Sequence, residues 1–185
     1  ENEGIPNPFE RFTHDARVAL QVCEQIAKRE KSAITGTEHL LLALLENPQA
    51  ATTDLIIFSD AARTFDQIFG VQEVRRYIAS VRGFRSVTVH KRSVNFGLAK
   101  SIMEGVKQVL AENDSVIVLE DDMITSPYFL GYMNDSLSRY ANDDRVISIH
   151  GYMYPVSDSL PEAFFLRGAD CWGWATWRRG WALFD

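Results

Sequence analysis

Residues 115–129, SVIVLEDDMITSPYF, carry an apolar run into three consecutive carboxylates, Glu120, Asp121 and Asp122. Like charges in adjacent positions repel, so a strand tip built this way needs something to offset them. Capping the next helix is one plain role, but Ser126-Pro127 already supplies an N-cap and a proline at the first helical position. A solvated acidic turn is the other. Side chains alternate along a strand, so Glu120 and Asp122 are expected on one side and Asp121 on the other. Carboxylate oxygens so placed suit a hard divalent cation, Mn²⁺ or Mg²⁺, with positions left open for phosphate oxygens. The ion would offset the repulsion and admit a diphosphate that bare carboxylates reject. A metal-bound diphosphate fits a nucleotide-sugar donor.

The elements that must position this tip can be read from the texture of the chain. From Asp54 onward, short β-rich apolar runs occur at 55–59 (LIIFS), 86–90 (SVTVH), 115–119 (SVIVL) and 146–150 (VISIH). Amphipathic stretches of helical length separate them, at roughly 66–82, 96–112 and 126–141. Apolar strands spaced by helices predict an α/β domain with a mostly parallel sheet and helices on both faces. Ligands of such sheets bind beyond the carboxyl ends of the strands, which here carry SD (59–60), HKR (90–92), EDD (120–122) and HGY (150–152). His90 and His150 end strands, where a histidine more often makes a structural hydrogen bond than a catalytic one. The last stretch, LPEAFFLRGADCWGWATWRRGWALFD, holds Trp172, Trp174, Trp177 and Trp181, to be divided between core and binding wall.

Residues 1–47 read differently. After the turn-like PNP, Thr13 can cap a helix running to about Lys31, with Ala16, Leu20, Cys23 and either Ile26 or Ala27 on one face. A second helix follows in AITGTEHLLLALLENP. Thr35 and Glu38 have capping-box spacing, Thr37 is a rival cap, and Asn47-Pro48 ends the helix.

Length and charge bound the function. A chain of 185 residues accommodates one substantial domain, or one domain plus an appendage. Its net charge of -6, with no Lys/Arg run, argues against nucleic acid as a partner. No apolar run approaches the ~20 residues needed to span a bilayer. Cys23 and Cys171 lack metal-ligand spacing, and with no apolar leader at the start the expectation is a reducing, cytoplasmic setting. The absence of an initiating Met leads to the expectation of a processed or partial chain.

VIVLEDDMITSPYFLGYMNDSL resembles the metal-binding EDD segment of GT-A glycosyltransferases, especially the Golgi N-acetylglucosaminyltransferase acting on N-glycans and related bacterial family 2 enzymes. LIIFSDAAR looks like the second strand of that fold, and HKRSVNFGLAKSI like its Asn-x-Gly-Leu-Ala segment under the nucleotide. FFLRGADCWGWATWRRGW is similar to an aromatic segment near donor and acceptor. Over about residues 46–185, this resemblance implies a nucleotide-sugar donor, with UDP favoured, and a sugar acceptor. It makes Asp122 the direct metal ligand and gives Glu120 and Asp121 the donor's sugar and ribose. Asp60 would face the nucleoside; Asn95, Gly97 and Lys100 would line the nucleotide pocket; Trp172 and Trp174 would contribute to the binding wall. A plain turn at Gly97 and an exposed helical Lys100 are equally consistent with the residues alone. No catalytic base is assigned; Asp170 and Asp185 are candidates by chemistry only.

Two departures qualify this. Nothing before Leu55 can be the fold's opening strand, and the chain stops soon after the aromatic segment. In place of the opening strand stands FERFTHDARVALQVCEQIAKREKSAITGTEHLLLALLEN, which resembles the first helices of the Clp N-terminal repeat, with its Phe12-Thr13 and Gly36–Leu42 signatures. That resemblance implies recruitment of protein substrates or adaptors. The expected organisation is therefore a helical segment over 1–47 and an incomplete GT-A domain over 48–185. Such a chimera would have weak or no transferase activity, with a protein-binding module on an α/β scaffold as the alternative.

Overall fold

In the computed structural model of the chain, the described residues are 44, 45, 47–154, 156, 159–161 and 163–184. The first expected helix, the second up to residue 43, and Asp185 lie outside them; Leu44 and Leu45, near the expected end of the second, are helical.

The described residues form a mixed α/β structure with two small sheets. β1 (Asp54–Ser59) and β2 (Ser86–Lys91) run parallel, with Leu55 opposite Val87 and Phe58 opposite His90. A parallel pair needs a crossover, and α1 (Ile68–Ile78) supplies it. Arg75 of α1 clasps the carboxyl ends of both strands. Its guanidinium donates to Ser59 Oγ and to the carbonyls of Ser59, Asp60 and Arg92, at 2.9–3.1 Å. Next, α2 (Leu98–Glu112) buries Gly105, Val106 and Leu110 on one face and leads into β3 (Ser115–Val118). This helix packs on β3 and, through Gly105 against the ring of Phe58, on β1 as well.

The second sheet differs from the one expected. β3 does not continue the parallel pair; it lies antiparallel to β5 (Trp174–Trp177), which also pairs antiparallel with β4 (Ser148–His150), in the order β3-β5-β4. Periodicity could not show this. WATW is only four residues long and sits in an aromatic segment whose residues read equally well as wall or core. Among the described residues, β1 and β3 each have one edge without a partner strand. The apolar runs expected to be buried on both faces are only half-buried along most of their length.

The core lies between the second sheet and α3 (Phe129–Arg139). Met133 and Ala175 are fully buried, surrounded by Leu44, Phe129, Leu130, Leu137, Val146, Ile149 and Trp177. Complete burial of a side chain such as Met133 contributes about 1.5–3 kcal/mol. The Trp177 indole donates to Leu137 O at 3.2 Å, so its polar atom is satisfied inside the core. Buried Asn47 donates to Pro127 O and thus ties the segment after Leu44 to the turn before α3. That helix starts later than Ser126-Pro127 led us to expect, at Phe129 after Tyr128. Ser126 Oγ still accepts the Tyr128 N–H at 3.1 Å, two residues before the cap.

The short helix α4 (Arg178–Trp181) follows β5 and meets the backbone of the β4 approach at Gly180. A Cβ at Gly180 would strike the Ile147 carbonyl oxygen and lie 2.7 Å from Thr176 Oγ1, the two atoms joined by the Thr176 hydrogen bond. Gly180→Ala is therefore expected to destabilise the fold by about 1–3 kcal/mol, since backbone must move to admit one methyl. Urea unfolding measures this, and an unchanged midpoint would contradict the packing described.

Candidate functional site

The register of β5 builds a cleft. Val118 lies opposite Trp174, and His150 lies opposite the same residue from the other side. The residues just beyond β3 and β4 therefore meet the residues just before β5. Gly173 adopts φ 69°, a conformation that favours glycine, and its carbonyl accepts the Gly151 N–H at 2.7 Å. The result is a cleft of about 550 Å³ whose lining includes Glu120, Asp122, Thr125, Tyr132, Tyr152 and Trp172.

Glu120 and Asp122 line this cleft; Asp121 is exposed and does not. Burial, then the negative charges of Asp122 and Asp121, push the Glu120 carboxyl above its ordinary range. Among the described residues no Lys or Arg pairs with any of the three acids. Among the same residues, no group of three or more His, Cys, Asp and Glu side chains is arranged to hold a metal. A protein-only cage is thus not what the tip offers. Glu120 and Asp122 are the two acids of the tip that line the cleft.

Thr125 escaped the sequence reading, and Tyr152 enters it only as part of the HGY strand end. Thr125 is 4% exposed, and its hydroxyl has no hydrogen-bond partner among the described residues. A buried hydroxyl left unmade costs about 1–3 kcal/mol, which a bound ligand or water would relieve. Only its place in DMITSP, between the acids and the turn, could have drawn attention to it. Tyr152 packs edge-on against Trp172, with ring centroids 4.9 Å apart, and against Tyr154 at 5.1 Å. The charge of Asp170 raises the Tyr154 hydroxyl above its usual range, which puts that carboxylate beside the aromatic wall. Asp170 itself accepts the N–H groups of Cys171 and Trp172.

Asp60, Asn95, Gly97 and Lys100 gather at a different place, beyond β1 and β2. Asp60 accepts N–H bonds from Ala61, Phe96 and Gly97 at 2.9–3.1 Å. Asn95 donates to Ala61 O at 2.7 Å, and Lys100 Nζ stands 4.5 Å over the Phe96 ring. Gly97, at φ 72°, starts α2. Asp60 and Asn95 brace the loop that Gly97 ends, Lys100 stands above it from α2, and none of the four lines the acidic cleft. Trp174 is apart from the cleft too, stacked on Trp181. Of the strand-end histidines, His150 bonds the Asp170 N–H through Nδ1 and Ser148 through Nε2, while His90 stacks on Phe58.

The raised Glu120 carboxyl makes a signed prediction. A carboxyl whose folded value lies above its unfolded one binds more protons when folded, so stability falls as pH rises through that window. Glu120→Gln should therefore raise the melting temperature at neutral pH, and the gain should vanish below the ordinary glutamate value of about 4.3. Thermal melts of both proteins across pH measure this; a loss of stability on substitution at neutral pH would contradict it.

Among protein families, the Clp repeat (R) N-terminal domain matches residues 11–61, less than half of the chain. The matched span runs past the expected border at 47 and takes in β1, so its last residues are strand rather than helix. Neither curated proteins nor solved structures give a match to this chain.

Proposed function

We propose that this chain is a protein-binding module in which a Clp-like segment captures a protein partner and the α/β part anchors it. The family match over residues 11–61 is the observation that carries this. Leu44 within the core and the Asn47–Pro127 hydrogen bond support a segment fixed to its scaffold. The sequence has no GxxxxGK[ST] phosphate loop, so partner recruitment rather than ATP-driven unfolding is the activity expected. Titration of the full chain with an arginine-phosphorylated protein and its unphosphorylated form should give saturable binding to one of them. No binding to either would count against the proposal.

A second reading rests on the acidic cleft: a nucleotide-sugar, UDP-linked by family resemblance, bound with Mn²⁺ or Mg²⁺ for transfer to a sugar acceptor. When bound, the cation would offset negative charge on the diphosphate leaving group. Asp122 would hold the ion, half-buried Glu120 would orient the donor sugar, and the Thr125 hydroxyl would donate to a ligand oxygen. Trp172 and Tyr152 would exclude water from one wall. The break between the two sheets is in keeping with a GT-A domain lacking its opening strand. Donor binding is accordingly expected to be weak and sugar transfer slight. Calorimetry should show little heat with Mn²⁺ alone and saturable heat with Mn²⁺ and UDP together, lost in Asp122→Ala. Equal heats from wild type and variant would reject this reading.

A further inference from the structure

A second cleft, of about 440 Å³, opens between the β1–β2 pair and α2, lined by Phe58, His90, Arg92, Phe96, Glu104 and Lys107 together with Gln108 and Ala111. No residue singled out for the nucleotide, the metal or the aromatic wall lines it, though His90, Arg92 and Phe96 belong to the 90–102 stretch likened to a segment under the nucleotide. At its centre the Arg92 guanidinium lies 4.2 Å from the Phe96 ring centroid and 5.4 Å from that of Phe58. Its Nη2 donates to Ser101 O at 3.2 Å, but Nη1 is buried with no hydrogen-bond partner among the described residues. Guanidinium N–H groups cannot be neutralised by losing a proton, so an orphaned one is costly and calls for an acceptor. Lys107 adds a second cation to the lining and His90 a further donor or acceptor, against the single carboxylate of Glu104. This positive balance contrasts with a chain whose net charge is -6.

We infer that this cleft binds a small organic anion. Its phosphate or carboxylate would accept from Arg92 Nη1 and pair with Lys107, and its apolar body would lie along the edges of Phe58 and Phe96, whose faces carry His90, Arg92 and Lys100. The rings already hold the guanidinium in place, so little ordering cost falls on the ligand. Glu104 opposes the anion and sets the upper limit of affinity.

Titration of the full chain with phenyl phosphate, inorganic phosphate and phenol tests this by chemical-shift perturbation or calorimetry. Phenyl phosphate should saturate with a Kd of about 1 mM or tighter, inorganic phosphate more weakly, and phenol not at all. Lys107→Gln, an exposed substitution, should weaken phenyl phosphate about two- to fivefold, and Glu104→Gln should tighten it by a similar factor, with unchanged melting temperatures in the absence of ligand. Arg92→Met should abolish binding if it folds; the two exposed variants decide the matter if it does not. Absence of saturation by phenyl phosphate overturns the inference. So does equal affinity in Lys107→Gln and Glu104→Gln, which would make the orphaned N–H a partner of water or of Glu104 alone.

Discussion

The second half of this structure depends on one strand, Trp174–Trp177, lying antiparallel between two others. Its pairing with β3 and β4 brings the ends of both strands to the residues just before Trp174, which is where the cleft forms. Its inward side chains, Ala175 and Trp177, also complete the core beneath α3. The same four residues therefore fix the acidic tip in space and help hold the helix that walls it. A shift of register by one residue would turn Ala175 and Trp177 out of the core and replace them with Thr176.

Electrostatics at the tip follow from that placement. Glu120 is held half-buried beside Asp122 and near Asp121, with no described cation paired to any of them. At Asp54, by contrast, hydrogen bonds from Arg85 and Ser86 hold the carboxyl down to about 2. The contrast between the two acids is physical: Asp54 has its partners built in, while Glu120 has no cation paired to it among the described residues. Thr125, buried with its hydroxyl unpaired in the same cleft, is a second group in that condition.

Much of the fold was legible because periodicity reports burial. The strands at 54–59 and 86–91 and the helix at 98–112 follow from apolar spacing with small boundary errors. Pairing was not legible. Nothing in SVIV reveals that its neighbour is WATW rather than LIIFS, because partner choice is settled by the whole packed arrangement. The alternation expected for Glu120, Asp121 and Asp122 describes which acids line the cleft, although the strand itself ends at Val118. Spacing along the chain could not reveal that Asp60, Asn95, Gly97 and Lys100 gather at one loop away from the acids, nor that Trp172 enters the cleft while Trp174 stacks on Trp181. The Clp-like signature was legible from short motifs, and the family match extends it through β1.

The uncompensated carboxyl at Glu120 is the most direct point of test. Carboxyl carbon NMR of the isotope-labelled chain can follow its titration alone and after addition of Mg²⁺ with UDP. The expected result is a titration above the ordinary glutamate range in the free protein and a clear fall once ion and diphosphate are both present. An ordinary titration in the free chain, or one that ion and nucleotide leave unmoved, would contradict the second reading proposed above, in which the tip recruits its charge partner from solution.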